Sequence, residues 1–207
     1  GVKVEQAARS HQWTPIPVPM DLSGWLVKAG TWSAEPGDVL VHRGTTELCL
    51  ALFAARTPGD FDLRFQCSVE SPDDRGQGFG CVVGWHTSGS RERYLSPCWF
   101  YSQGQIYATI LNRREYGSLD RIRLPSIINE FEVIVEVRND RLTYRVNGQT
   151  IAKNERLTVK NSPQSFLAIP PQSLIGFGHY RPKMGNVFRI HDIEVRFIEP
   201  SNDPFGR

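Results

Sequence analysis

From Phe61 to Val69 the chain reads Phe-Asp-Leu-Arg-Phe-Gln-Cys-Ser-Val, with every odd position apolar and every even one polar. Only a β-strand has a side-chain period of two, so this segment puts five side chains on a buried face and four toward solvent. Phe131, Val133, Val135 and Val137 repeat the pattern, with Glu132, Glu136 and Arg138 on the other face, and Leu142, Tyr144 and Val146 repeat it again. Asn139-Asp140 separates those two runs. Asn147-Gly148, which supplies the positive φ angles of a two-residue hairpin, precedes Gln149-Thr150-Ile151. Residues 131 to 152 therefore read as a three-stranded meander.

Further strands are expected at 38–42, 47–53, 78–86, 97–102, 105–112, 173–179 and 187–198. The last changes phase: Phe188 and Ile190 are even, whereas Ile193, Val195 and Phe197 are odd. One extra residue near His191-Asp192, a β-bulge, would restore a common face. Residues 153–172 carry Pro163, Pro170 and Pro171 and read as a long connection. Segments 5–12 and 50–56 have room for a helical turn and no more. About a dozen strands with frequent Gly and Pro imply an all-β, two-sheet antiparallel sandwich or a barrel. No repeat of propeller or solenoid length occurs.

The 207 residues fit one large β-domain. Residues 1–20, where Pro15, Pro17 and Pro19 alternate with Thr14, Ile16 and Val18, read as an extended N-terminal arm or linker. The domain then spans 21–199, and 200–207 form a tail. A start at Gly1-Val2-Lys3 reads as a cut fragment of a larger multidomain chain. Apolar residues make up 40% and charged residues 22%, with a formal net charge of +2, which is ordinary for a globular protein. Lys and Arg form no run or stripe, so nucleic acid is not an expected partner. The longest apolar candidate, Leu48 to Ala55, is far short of the roughly 18 residues of a membrane helix, so membrane insertion is not expected. Cys49, Cys67, Cys81 and Cys98 are spaced by 18, 14 and 17 residues, matching no zinc pattern. They read as buried thiols, with a single Cys67–Cys81 disulfide as the alternative.

Several segments together resemble the concanavalin A-like lectin/glucanase superfamily, closest to its keto-disaccharide hydrolase-like branch, formerly a domain of unknown function. Asp21-Leu22-Ser23-Gly24-Trp25 with Gly30-Thr31-Trp32 resembles that branch's opening, and Gly59 to Phe65 its first long strand. Val137 to Gly148 resembles the superfamily's hairpin. Ile175-Gly176-Phe177-Gly178 with Val187 to Ile193 resembles its closing strands. The resemblance covers about residues 21 to 198. It implies a jelly-roll sandwich, ligands on the concave face of one sheet, and an extracytoplasmic or secreted location. The branch's Asn-Ser-Gly and Glu-X-Gln elements are absent from 78–86 and 96–101, which leaves a binding role or different chemistry on the same scaffold.

Candidate site residues follow from sugar chemistry. An aromatic face stacks on the apolar side of a pyranose while Arg, His or carboxylate groups take its hydroxyls. Trp85, His86, Arg93, Trp99, Tyr101, Tyr107 and Arg113 form such a set. Trp85, Trp99 and Tyr101 filling the core is the competing fate. Glycoside cleavage needs two facing carboxylates. The laminarinase-type Glu-X-Asp-X-X-Glu run is absent, and Asp60/Asp62 and Asp192/Glu194 read as solvated strand faces. Glu92 or Glu115, with His86, would be the acid/base groups of an enzyme. No metal site is expected: the histidines are dispersed, leaving only a meeting of His86 with His179 in space. No cofactor is expected beyond a weak Ca²⁺ candidate, the turn cluster Ser71 to Gly76. The resulting expectation is a lectin-like module with a saccharide or glycoside ligand. The alternatives are a glycoside hydrolase acting on keto-disaccharides or related glycosides, and a non-catalytic interaction domain.

Overall fold

The computed structural model describes residues 12–43, 49–57, 59–70, 75–88, 91–102, 105–112, 122–123, 129–156, 158–159, 162–166, 169–180 and 187–198. Among these there is no helix. The strands are β1 (Thr14–Pro15), β2 (Trp25–Ala29), β3 (Thr31–Glu35), β4 (Val39–Arg43), β5 (Cys49–Arg56), β6 (Phe61–Glu70), β7 (Arg75–Ser88), β8 (Arg91–Ser102) and β9 (Gln105–Asn112). They continue with β10 (Ile122–Arg123), β11 (Glu130–Arg138), β12 (Arg141–Val146), β13 (Gln149–Arg156), β14 (Thr158–Val159), β15 (Ser162–Phe166), β16 (Leu174–Tyr180) and β17 (Val187–Phe197). One antiparallel sheet runs β13-β12-β11-β6-β17-β4-β3, with β1 beside β17, and the other runs β10-β9-β8-β7-β16-β5-β2. The chain is a two-sheet antiparallel jelly-roll sandwich.

The period-two runs build the interior. The odd residues of β6 and the apolar residues of β11, β12 and β17 face Cys49, Ala51, Phe53, Phe79, Val83 and Phe177 of the second sheet. Phe79 stacks on Phe188 across the two layers, with ring centres 4.5 Å apart and planes 12° apart. Phe65 meets Phe177 edge-on at 4.9 Å. Each buried Phe contributes roughly 1.5–3 kcal/mol, so such pairs dominate the cohesion between the sheets. Asn147 (φ 47°) and Gly148 (φ 74°) make the expected hairpin turn. The bulge in β17 lies between His191 and Glu194, with Asp192 at φ 50°.

The arm is built into the sandwich through β1. Thr14 pairs with Val195, Ile16 N–H bonds Ile193 O at 2.7 Å, and Ile16 and Val18 are buried in the core. Trp13 lies beneath the guanidinium groups of Arg64 and Arg196, at 4.4 and 4.8 Å from its ring. These contacts hold the arm by apolar burial and cation–π attraction together.

Three expectations change. Asp62, placed in solvent by alternation, is fully buried. It is ion-paired with Arg138 at 2.6 Å and with Arg196, whose Nε donates at 3.0 Å, because two guanidinium groups replace the water it loses. Residues 153–172 are not one long connection: β13 continues to Arg156, and β14 pairs with β15. Residues 50–56 are strand, since β5 is flanked on both sides by partners that take its backbone hydrogen bonds. The cysteines keep to the first of their two readings: all four are buried free thiols. Burial pushes the Cys67 and Cys81 thiols up, keeping both protonated.

Candidate functional site

In β5, Cys49, Ala51 and Phe53 point into the sandwich, so Leu50 and Leu52 must point out of it. Yet Leu50 and Leu52 are buried too, in a second apolar cluster with Val82, Trp85 and Tyr94, flanked by Leu174. This cluster lies on the outer face of the seven-stranded sheet.

Trp85 reaches it through an irregularity centred on Gly84. Alternation from Val83, which faces the core, would send Trp85 inward as well. Instead Leu95 pairs with Val83 and Arg93 with His86, so three steps on β7 oppose two on β8. On the other flank, Gly176 pairs with Val82 and Leu174 with Trp85, again two steps against three. The extra residue is absorbed at Gly84, whose φ of 70° lies in the left-handed region. A Cβ there would sit 3.0 Å from Ile169 Cγ2. Glycine is therefore the residue that allows the phase change.

The result is an aromatic side chain on the outside of the sheet with an unused donor. Trp85 is 9% exposed, and its buried Nε1 has no hydrogen-bond partner among the described residues. Lys28 Nζ lies 5.2 Å from the centre of its ring. In the sheet order β2 and β7 are separated by β5 and β16, about 14 Å at the usual strand spacing. Lys28 and Trp85 therefore arch toward each other over Leu50 and Leu52. Next to Trp85, the His86 imidazole Nδ1 lies 2.8 Å from Gly84 O, and Arg93 is its cross-strand neighbour. Glu92, half-buried, pairs with Thr87.

The other sequence candidates are distributed as follows. Trp99 pairs with Phe79 and Ala108, Phe100 with Tyr107, and Tyr101 with Ile106. Six residues of β8 separate Arg93 from Trp99, about 20 Å. Trp85, His86 and Arg93 thus lie along one end of the β7–β8 ladder, with Trp85 and His86 on opposite faces of the sheet, and Trp99, Tyr101 and Tyr107 lie toward the other end. Arg113 and Glu115 lie outside the described residues, as do Ser71 to Asp74 of the turn cluster; Arg75 and Gly76 belong to β7. His179 pairs with Phe79, seven residues along β7 from His86, so those two histidines do not meet. Among the described residues no three His, Cys, Asp or Glu side chains come together as a metal site would require. Lys28 was not legible in the sequence, because nothing in Trp25-Leu26-Val27-Lys28 reports which strand lies three places away.

A cleft of about 490 Å³ opens over the other sheet where β17 bulges. Arg64, Gln66, Asp38, Glu132 and Glu194 line it. Three of its charged groups are engaged: Arg64 Nε donates to Glu194, and Asp38 Oδ1 accepts the Val18 N–H at 2.8 Å. The Trp85 face, by contrast, has an aromatic with an unsatisfied donor.

No protein-family model matches the chain, and no curated protein does. Solved structures share its fold at low identity. The potassium-bound carbohydrate recognition domain of Emp46p aligns with a TM-score of 0.62 at 8% identity, covering 89% of this chain and 94% of that one. The carbohydrate-binding module CBM66 from Bacillus subtilis aligns at 0.55 and 12% identity, over 84% of this chain and 95% of that one. The apo Crh5 transglycosylase aligns at 0.55 and 10% identity, over 86% and 80%.

Proposed function

We propose that this chain is a lectin-like carbohydrate-binding domain whose ligand sits on the outer face of the seven-stranded sheet, at Trp85. The observation that carries the reading is the turning of Trp85 out of the core at Gly84, with its indole N–H unpartnered among the described residues. Burying a donor without a partner costs about 1–3 kcal/mol, a cost a ligand hydroxyl would remove. The indole face supplies the stacking surface once Lys28 swings aside, an inexpensive motion for a long, exposed side chain. A longer oligosaccharide running along β8 would reach the segment carrying Trp99, Tyr101 and Tyr107. Sharing a fold with a carbohydrate recognition domain and a carbohydrate-binding module supports this reading.

The reading is one of binding without cleavage. Glycoside hydrolysis needs two carboxylates across one cleft. The strands β2, β5, β7, β8, β9, β10 and β16 carry a single one, Glu92.

The test is a glycan array followed by calorimetry on the wild type and Trp85→Ala. Binding of a defined saccharide that Trp85→Ala loses, with the melting temperature of the variant still cooperative, is expected. An absence of binding to every saccharide overturns the reading, as does turnover of a glycoside by the purified protein.

A further inference from the structure

Every residue from 13 to 18 is engaged, and every partner lies beyond the turn that follows them. Trp13 lies beneath Arg64 and Arg196, Thr14 and Pro15 pair with Val195 and Glu194, and Ile16 N–H bonds Ile193 O. The Pro17 carbonyl accepts the Trp25 indole N–H at 3.0 Å, and Val18 N–H donates to Asp38 Oδ1 at 2.8 Å. The seat is built by the rest of the domain. β17 pairs with β4 over Val187–Ile190 and with β1 at Glu194 and Val195. Without the arm, the second half of β17 would be an open sheet edge beside a core that lacks Ile16 and Val18.

The arm is a preformed strand. Pro15, Pro17 and Pro19 hold it extended whether or not it is seated, so seating it costs little conformational entropy. Ile16 turns its N–H toward β17, and the two N–H groups that alternation would turn away, at residues 15 and 17, are absent. A seated arm therefore offers no further strand a donor there.

The turn joining the arm to β2 is the strained part. It carries the chain from the eight-stranded sheet to the seven-stranded one, with Leu22 at φ 55° in the left-handed region that a Cβ disfavours. Its hydrogen bonds are local: Leu22 N–H to Pro19 O at 2.8 Å, Ser23 N–H to Asp21 Oδ1 at 2.9 Å, and Trp25 N–H to Leu22 O at 2.9 Å. Met20, Asp21, Ser23 and Gly24 are exposed, so water replaces these bonds when the turn straightens. Straightening frees Leu22 from its backbone strain, gives up its partial packing on the core, and leaves the seat on β17 intact.

We propose that the arm exchanges between two copies of this chain: residues 12–19 of each copy seat on β17 of the other, with 20–24 extended between them. The contacts at the seat are the ones described above, so the exchanged dimer differs from two monomers in its two straightened turns and in the cost of bringing two chains together. Concentration therefore sets the balance. In the dimer each cleft over the β17 bulge takes its Pro15–Ile16 wall from the other copy.

The experiment has two parts. Light scattering after size exclusion, from micromolar to millimolar protein, is expected to show a monomer–dimer equilibrium. Leu22→Pro, which forbids the left-handed turn, is expected to raise the dimerisation constant about tenfold or more, and Leu22→Gly, which relaxes the closed turn, to lower it about tenfold. In the second part, Thr14→Cys and Val195→Cys proteins are made separately, mixed at high concentration and oxidised. These register partners come within disulfide reach between chains only when the arm of one copy sits on β17 of the other, and the native thiols are buried. A mixed disulfide in excess of either homodimer is expected. Pro15→Cys with Glu194→Cys repeats the test at the neighbouring register pair should Val195→Cys fail to fold. A wild type that stays monomeric throughout overturns the proposal. A dimer that ignores both Leu22 variants, or that yields no mixed disulfide at either pair, also overturns it, since that dimer would use another surface.

Discussion

The Trp32 indole lies against the His42 imidazole, ring centres 4.8 Å apart and planes tilted by 55°. The two residues are register partners on β3 and β4, and Phe188 approaches the same imidazole from β17 at 6.3 Å. His42 is fully buried, and that burial pushes its pKa down to about 4. The imidazole is therefore neutral in the folded protein over the range where the unfolded chain binds a proton, near pH 6.5. Stability from this residue is fully present above pH 6.5 and is lost as pH falls from there toward 4, at up to about 1.4 kcal/mol per pH unit. Urea titrations of the wild type and His42→Leu at half-unit steps from pH 7.5 to 4.5 isolate this slope, since the carboxylates common to both cancel in the difference. Parallel stability curves for the two proteins would show that His42 does not carry the linkage.

Asp62 is the buried carboxylate of the ionic face, held between Arg138 and Arg196, whose side chains are 39% and 32% exposed. The guanidinium groups keep contact with water while the carboxylate does not, so the consequence of mutation depends on which partner is removed. Arg138→Ala or Arg196→Ala alone leaves Asp62 one cation. The double variant strands a buried charge, which costs about 3–5 kcal/mol. A double-mutant cycle by chemical denaturation should show the pair costing more than the two single losses added. Strict additivity would mean that water reaches Asp62.

The Tyr144 ring is fully buried in the core, and its hydroxyl finds no hydrogen-bond partner among the described residues. Burial, reinforced by the nearby Cys98 and Cys81 thiols, raises its pKa well above the usual phenol value. Removing an unsatisfied buried hydroxyl relieves its desolvation at the cost of a small void, so Tyr144→Phe should gain about 1 kcal/mol. Calorimetry should register this as a rise of about 2–4 °C in Tm. A fall in Tm would mean the hydroxyl is satisfied in solution.

Where side-chain chemistry acts locally, the fold was legible from the residues. The runs at 61–69 and 131–146 specify their own strands, Asn147-Gly148 its own turn, and the phase change after Ile190 its own bulge. Features that depend on a partner distant in sequence were not. Asp62 carries the same local signal as Gln66 and Ser68, and only Arg138 and Arg196, 76 and 134 residues away, make its burial tolerable. The short strands β2 and β3 have too few residues for a period to register, and β14 and β15 lie in a stretch interrupted by Pro163. At the candidate site, the placement of Trp85, His86 and Arg93 on neighbouring strands was legible because β7 and β8 are sequential and pair as a hairpin. Lys28 enters through the order of strands in the sheet, which no local pattern encodes.

The glycine that sets Trp85 on the outer face gives the sharpest check on the site's geometry. Gly84→Ala places a Cβ on a residue at φ 70° and against Ile169. The left-handed conformation alone costs about 1–2 kcal/mol for a residue with a Cβ. Two responses are open to the chain. It can keep the bulge and lose that stability, or straighten β7 and turn Trp85 inward, where Ile169 and Leu95 already fill the space. The first response is expected, because repacking a filled core with an indole costs more than the backbone strain. Gly84→Ala should therefore lower stability by about 1–2 kcal/mol while Trp85 remains as reactive toward a tryptophan-selective oxidant as in the wild type. Loss of that reactivity, with stability unchanged, would show that Gly84 does not hold the Trp85 orientation and that the strand can slip.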